Sequence, residues 1–423
     1  MSSTPVVSVE RAASPGPAPV PTRAAFLFIF ITVALDMLAL GVMIPVLPKL
    51  IIEFEHGNVA AAAGAAGLFG FSWAAMQFVF SPLLGAISDR SGRRPVILLS
   101  NLGLGLDYLL MALAPSLTWL FVGRLISGIT SASYSTAGAY IADVTPEAER
   151  AAKFGMLGAA FGLGFVVGPA IGGLLGGVSL RLPFYAAAGL SLANALYGFF
   201  ILPESLPPEK RATFAWSKAN PLGSLALLRS HPRLLGLALI AFFHHVAHDS
   251  LPSVFVLYAD YRYQWGERMV GFCLAGVGIA TTLVAALLVG PLVKRLGERN
   301  ALLLGLSFGA AGFGVYGWAP TGAWFFAGIP LIAIWGLASP AVKALMSRRV
   351  PPTEQGRLQG ALASMSGITG MIGPVLFTQI FAFGISSKSL DLPGAAFWTS
   401  SLLLVVSGLV ALSVARDSAP ANS

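Results

Sequence analysis

Apolar runs of about 18 to 25 residues recur from one end of the chain to the other, separated by short polar stretches. Each run is long enough to cross roughly 30 Å of hydrocarbon as a helix rising about 1.5 Å per residue. The pattern predicts twelve spans, at 24–48, 62–87, 95–114, 117–142, 153–177, 182–202, 233–258, 269–293, 300–318, 322–346, 357–384 and 394–415. Closed β-barrels, the other architecture viable in lipid, need short alternating segments that this sequence lacks. The expected fold class is therefore an all-α integral membrane protein. The first run is too long for a signal-peptide core and has no small-residue cleavage site, so it reads as a retained helix. Before it lies a Ser-, Pro- and Ala-rich leader, 1–23, expected to be a disordered cytoplasmic tail.

Composition removes the soluble alternatives. Of 423 residues, 56% are hydrophobic and 10% charged, where a soluble domain carries roughly 25% charged residues. The net charge of +8 would suggest nucleic acid were it not for its placement. Of the 26 Lys and Arg, 20 fall on the side of the N-terminus and the even-numbered loops, 5 fall opposite, and Arg124 lies inside a span. By the positive-inside rule both termini and the central loop are expected in the cytoplasm. The single cysteine, Cys273, allows neither an intrachain disulfide nor a cysteine metal cluster, and reads as a small apolar residue in a helix.

An internal repeat organises the spans. A shift of 205 residues takes Gly85, Arg90, Gly92 and Arg94 to Gly290, Arg295, Gly297 and Arg299. The same shift takes Ala114, Pro115, Trp119 and Gly123 to Ala319, Pro320, Trp324 and Gly328. It also takes Pro146, Glu149, Gly155, Gly168 and Pro169 to Pro351, Glu354, Gly360, Gly373 and Pro374. The twelve spans thus divide into two pseudo-symmetric six-helix bundles, 24–202 and 233–415. A Pro-rich charged linker, 203–232, joins them with some amphipathic helix around 221–228, and a short tail follows at 416–423. Parallel repeats of this kind imply a pseudo-two-fold axis along the membrane normal and a substrate site between the halves. A channel would need a repeated selectivity element, and none is present.

Four features stand out from the apolar background. The loop after the second span, Gly85-Ala86-Ile87-Ser88-Asp89-Arg90-Ser91-Gly92-Arg93-Arg94-Pro95, joins a sharp turn at Gly92 to a carboxylate and three guanidinium groups. It is either a latch that differs between two states or a solvated basic loop that fixes topology. The fifth span carries Gly164, Gly168, Gly172 and Gly176 at steps of four, with Pro169 and Gly173 alongside. Such a ridge lets another helix approach closely, and the proline removes one backbone hydrogen bond. In the second half Gly373 and Pro374 remain, but Phe377 stands where Gly172 would be. Arg124 sits above a small-residue stripe, Gly128 and Ala132, and in hydrocarbon it must face the bundle interior with a partner. Asp36 and Asp107 lie about twelve residues into the first and third predicted spans, near midplane. A carboxylate there can bind a proton or a cationic substrate but not both at once, which is a mechanism for exchange. A hydrogen-bonded structural acid is the other reading of each.

These motifs resemble those of a known family. The loop has the G-x-x-x-D-R-x-G-R-R form of the major facilitator superfamily signature. Gly164, Gly168, Pro169, Gly172 and Gly173 resemble the motif that marks drug/proton antiporters within it, and the Arg124 pattern resembles that group's proton-coupling arginine motif. Over roughly 25–415 the chain resembles the tetracycline/proton antiporter branch, most closely through Val122–Thr130, Gly138–Asp143 and Leu202-Pro203-Glu204-Ser205. The resemblance implies a monomeric, multi-pass inner-membrane exporter of a small amphipathic drug-like compound, driven by the proton gradient without a cofactor. It places Asp36, Asp107 and Arg124, joined by Gln77, in substrate and proton handling. It places Gly85, Asp89, Arg90, Gly92, Arg93, Arg94 and Asp143 in a cytoplasmic gate.

The second half departs from that pattern. The ninth-span acid of tetracycline pumps aligns with Gly309 and an eighth-span histidine with Thr281. The seventh span instead holds His244-His245-Val246-Ala247-His248-Asp249, in which His245, His248 and Asp249 share one helix face. A proton relay or substrate contact, a structural hydrogen-bonded group and metal binding all remain open for this cluster, with metal disfavoured because adjacent turns rarely fill a coordination sphere. Proton-coupled uptake of a metabolite is the alternative transport reading. A non-transporting sensor or membrane-embedded enzyme would need a signalling domain, nucleotide loop or nucleophile motif, and the sequence offers none.

Overall fold

A computed structural model describes residues 22–131, 133–213, 220, 222–225, 227–228, 232–386 and 391–414. Most of the 1–23 leader, the 416–423 tail, parts of the 221–228 segment and Ala132 lie outside these. Fifteen α-helices make up the described chain, and no strand occurs among the described residues. The first half holds α1 (Thr22–Met43), α2 (Leu47–Phe54), α3 (Val59–Ser91), α4 (Arg93–Leu113), α5 (Leu117–Thr130), α6 (Ser133–Val144), α7 (Glu147–Gly176) and α8 (Leu182–Ile201). The second holds α9 (Pro232–Tyr263), α10 (Glu267–Leu283), α11 (Val289–Trp318), α12 (Gly322–Trp335), α13 (Ala338–Ser347), α14 (Gln355–Ser386) and α15 (Ala395–Val414).

Ten stretches of the described chain are long and apolar enough to cross a membrane. Two physical interruptions reconcile ten with twelve predicted spans. The fourth span is broken after Thr130 into α5 and α6, each too short to qualify alone. The eighth and ninth run together as one helical stretch of 52 residues, Glu267–Trp318, with a π-helical turn at Val284–Leu288, but Gly297, whose φ/ψ is not helical, divides them into two helices. The first span is also interrupted: Pro45 lies in the turn between α1 and α2, and Pro48 opens α2, where its missing N–H costs nothing. At the expected amphipathic helix, the described residues include a 3-10 turn at Gly223–Leu225.

Inside the first half α1 packs on α7 and α8, and α4 on α5 and α8; inside the second, α9 packs on α14 and α15, and α11 on α12 and α15. These are the same pairings shifted by one repeat. The predicted glycine ridge of α7 lies against α1. A Cβ at Gly168 would come within 2.7 Å of the Gly41 Cα, one at Gly164 within 2.6 Å of the Met37 Cβ, and one at Gly172 would collide with the Val42 carbonyl. Gly173 points the other way, toward Gly271 on α10.

The halves meet along two seams. In the first, α3 runs antiparallel to α14 with Gly64 facing Gln379, Gly67 facing Thr378, Gly70 facing Pro374, Ala74 facing Gly370 and Phe78 facing Gly367. In the second, α7 runs against α10 with Gly177 facing Arg268, Gly176 facing Glu267, Gly173 facing Gly271, Val166 facing Gly278 and Gly162 facing Thr282. Facing residue numbers add to 443–445 in both seams. That constancy is the pseudo-two-fold itself, because adding 205 to one partner and subtracting it from the other leaves the sum unchanged. Both seams are closed at the end of the molecule remote from the 85–95 loop. There Lys49 of α2 also reaches across to the Asp260 carboxylate and, at 2.7 Å, to the Trp265 carbonyl. Toward the loop end the seams part: a Cβ at Gly85, Gly155, Gly158 or Gly290 would meet nothing within 4 Å.

Gly168→Val should cost about 1–3 kcal/mol by overpacking the α1–α7 contact, whereas Gly189→Ala, whose Cβ would meet nothing within 4 Å, should be neutral. Reaction of the buried sole cysteine, Cys273, with a maleimide dye on heating checks this. The valine variant should label at a clearly lower temperature than the parent and the alanine variant at the parent's.

Candidate functional site

The interior polar groups fall into two sets, one in each half. In the first, α1, α4 and α8 bring Asp36 together with two amides that the sequence reading did not single out. Asn194 Nδ2 donates to Asp36 Oδ1 at 3.0 Å and to the Thr32 carbonyl at 3.0 Å. With its amide nitrogen turned to the carboxylate, Asn101 donates to Asp36 Oδ2 at 3.1 Å and accepts from Asn194 at 3.1 Å. All three are buried. Uncharged amides inside apolar spans were the available signal, since each must find a partner in hydrocarbon.

Asp107 and Arg124 form a different kind of unit. Both are buried, and among the described residues neither Asp107 oxygen nor Arg124 Nε has a hydrogen-bond partner. The guanidinium lies 5.2 Å from the centre of the Trp73 ring, a cation–π contact. Gly123 keeps the space beside the carboxylate open, since a Cβ there would stand 2.9 Å from Asp107 Oδ1. Gln77 is half-buried one turn beyond Trp73 on α3.

In the second half two of the departures from the family pattern, Gly309 and the histidine cluster, are joined in space through Trp335. Gly309 has no room for an acid, because the Trp335 indole occupies that position and a Cβ would lie 2.5 Å from its Cδ1. The same indole faces His244 at 4.8 Å and His248 at 5.8 Å between ring centres. His244 is buried with Nδ1 unpartnered, His245 is half-buried, and His248 is exposed with Nδ1 3.8 Å from Asp249 Oδ1. Asp249 occupies the space that Gly373 leaves on α14; a Cβ there would be 2.8 Å from Asp249 Oδ2. Thr281, at the other departure, bonds only to its own helix, at Val277 and Gly278.

The 85–95 loop is bound to its own half. Gly92 has φ +103°, a conformation that suits only glycine, and a Cβ there would collide with the Glu204 carboxylate. Arg93 is buried and donates to Ser88 Oγ at 2.7 Å and Asp143 Oδ2 at 3.1 Å while pairing with Asp89 at 2.5 Å. Arg94 caps the Phe199 carbonyl at 2.5 Å, and Arg90 is exposed. Glu204, which the sequence reading quoted only as part of a run, is the hub: its Oε1 accepts from the backbone N–H of Arg93, Ser205 and Leu206 at 2.8, 3.0 and 3.0 Å. The second half repeats the device with its charges exchanged. Gly297 has φ +75°, and Glu298 pairs with Arg348 at 2.8 Å, each 205 residues from Arg93 and Asp143.

Twelve membrane crossings in two like halves, zipped at one end, parted at the other and carrying buried charges in each half, define the architecture of a secondary transporter. The chain belongs to the Major Facilitator Superfamily, whose profile matches residues 29–374 and again 237–423. It is 39% identical over 356 residues to the class C tetracycline resistance protein of Escherichia coli, covering 84% of this chain and 89% of the relative. To the class B protein of Escherichia coli it is 37% identical, covering 88% and 92%. Among solved structures it is similar to the nucleoside transporter NupG, with a TM-score of 0.74 at 14% identity over 93% of this chain and 99% of that one. The human organic anion transporter MFSD10 (TETRAN) superposes with a TM-score of 0.67 at 24% identity, over 93% and 100%. Likeness at that level of identity shows the fold alone.

Burial decides how much each loop pair matters. The Arg93 side chain is 10% exposed and that of Arg348 is 76% exposed. Arg93→Ala should approach the about 3–5 kcal/mol lost when a buried pair loses one partner, and Arg348→Ala should cost at most about 1 kcal/mol. The Cys273 labelling midpoint should fall markedly in the first variant and scarcely in the second.

Proposed function

We propose that the protein is a proton-coupled antiporter that exports a small amphipathic drug-like compound by alternating access. It would work as a monomer in an inner membrane, with both termini and the 85–95 loop in the cytoplasm and no cofactor. The observation that carries this reading is the buried Asp107–Arg124 unit with its unpartnered carboxylate, in a chain similar to proteins named for tetracycline resistance. A carboxylate without a hydrogen-bond donor, in a dry site, exchanges its proton against a nearby positive charge. Protonation frees Arg124 for another partner, and deprotonation draws it back. The Asp36 network, by contrast, holds α1, α4 and α8 in register around an acid that its two amides already satisfy. Gly85, Asp89, Arg90, Gly92, Arg93, Arg94 and Asp143 serve the cytoplasmic gate, kept in shape by Glu204.

The substrate side of the reading rests on the second half. Trp335 offers an aromatic face beside Gly309, where the resemblance calls for an acid, and His248 against the same indole and neighbouring Asp249 offer an imidazole and a carboxylate. That combination favours a flat polycyclic compound carrying a cationic or hydrogen-bonding edge, a class that includes tetracyclines. One proton entering down 100 mV supplies about 2.3 kcal/mol, enough for roughly fiftyfold accumulation.

Proteoliposomes with an imposed pH gradient, loaded with tetracycline or a cationic dye, test the proposal. Flux should follow the gradient, and Asp107→Asn should uncouple it, lowering gradient-driven flux at least tenfold. His248→Ala and Asp249→Asn should change which compounds are carried while leaving the gradient dependence in place. Flux indifferent to the gradient, with Asp107→Asn behaving as the parent, would overturn the reading.

A further inference from the structure

The histidine cluster of the second half has a cationic neighbour that neither the family motifs nor the proton-handling unit uses. Lys343 lies on α13, one turn before that helix ends at Ser347, within the membrane-crossing stretch Gly322–Ser347. With Pro340 it forms the exposed edge of a helix whose other side, Ala341, Val342 and Leu345, is buried. The helix packs on α9 and α11. Two observations bring it to the histidines. Trp335, at the end of α12 just before it, faces His244 and His248. The Lys343 ammonium is near enough to act electrostatically on both His244 and His245.

Those neighbours fix the side on which the ammonium stands. A lysine close to a helix end can run its stem outward and rest its charge among lipid headgroups. That route leads away from the bundle, whereas His244 is buried and His245 half-buried within it, so a charge acting on both stands on the inner side. The seams part toward this end of the molecule, and the exposure of Lys343 is therefore exposure to the opening between the halves. Among the described residues Lys343 makes no hydrogen bond or ion pair. The carboxylate of the cluster is committed elsewhere: Asp249 fills the space beside Gly373 on α14, with Oδ1 3.8 Å from His248 Nδ1. Gly309 supplies no acid and has no room for one. The wall thus holds one unpaired ammonium and three imidazoles against one engaged carboxylate, and a cation kept unpaired in a membrane span marks a place where a ligand supplies the partner.

We propose that this wall binds an acidic group of the transported compound, a carboxylate or an enolate, between the Lys343 ammonium and the His245 imidazole. Ammonium and imidazole N–H groups replace the water that such an anion gives up on entering the opening. The inference rests on the reading of the second half as the substrate-bearing wall and narrows it: the hydrogen-bonding edge of the compound is an acid. It makes no use of proton coupling at Asp107 and Arg124.

Equilibrium binding to the purified full chain in nanodiscs, with no pH gradient, tests it. The probes are three flat aromatic acids, fluorescein, nalidixic acid and anthracene-9-carboxylic acid, each beside its own methyl ester, with binding to empty nanodiscs subtracted. At least one acid should bind roughly tenfold more tightly than its ester, the size of one hydrogen bond to a charged group. Lys343→Met should abolish that preference by weakening the acid and leaving the ester unchanged. Lys343→Arg should keep it, and His245→Phe should lower it severalfold. An unchanged Cys273 labelling midpoint reports that each variant is folded. The same differences should appear in phosphatidylcholine and in phosphatidylglycerol nanodiscs. An effect of Lys343→Met confined to phosphatidylglycerol would assign the lysine to lipid headgroups and overturn the proposal. So would a parent chain that binds no acid more tightly than its ester, or a Lys343→Met chain that keeps the preference. Acid binding through Lys343 in a chain whose flux ignores the pH gradient would reject the antiport reading alone and leave this inference standing.

Discussion

In hydrocarbon an apolar helix face gains almost nothing by leaving lipid for another apolar face, so helices are held together by how closely their backbones approach. The rest of this structure depends on that constraint. Gly164, Gly168 and Gly172 bring α7 onto α1 within the first half, and Gly173 brings the same helix onto Gly271 across to the second. One helix thus carries both the internal packing of its half and a seam between halves. Because the two contact faces are set by glycines on adjacent positions, α7 can keep its grip on α1 while its hold on α10 changes. A rigid half that rocks needs that separation of duties.

Charge is handled by a different rule in each region. At the loop, Arg93 and Glu204 are saturated by Ser88, Asp89, Asp143 and backbone N–H groups, which makes the loop a fixed part of the first half. Asp36 is likewise satisfied by Asn101 and Asn194. Asp107, Arg124, His244 and Asp249 keep buried atoms without partners among the described residues. Dry polar groups left unsatisfied are costly, and such costs are tolerated where the group must exchange partners as part of its work. The contrast separates polar groups whose hydrogen bonds are filled from those whose bonds are left open.

Much of this was legible in the sequence, for physical reasons. Span length is fixed by membrane thickness, so twelve crossings could be counted without knowing their contacts. The 205-residue shift could be read from glycines and prolines, because those residues are tied to backbone shape. What could not be read were pairings set by three-dimensional neighbours. Nothing in the string ties Lys49 to Asp260 or puts Trp335 into the space beside Gly309. The role of Glu204 depends on backbone N–H groups, which carry no residue identity. One missed feature did leave a trace: at the 205 shift Arg93 becomes Glu298 and Asp143 becomes Arg348, two reversals that make sense only as a pair.

That double reversal bears on how a duplicated chain assembles correctly. Each loop and its receptor have a near copy elsewhere in the same molecule, and two copies invite exchange during insertion, the loop of one half seating on the other. Such a swap would set Arg93 against Arg348 and Glu298 against Asp143, like charge facing like in both places. Repulsion between like charges can exclude a wrong partner where shape alone does not distinguish it from the right one. The exchanged pairs act as an address, telling each half which loop is its own.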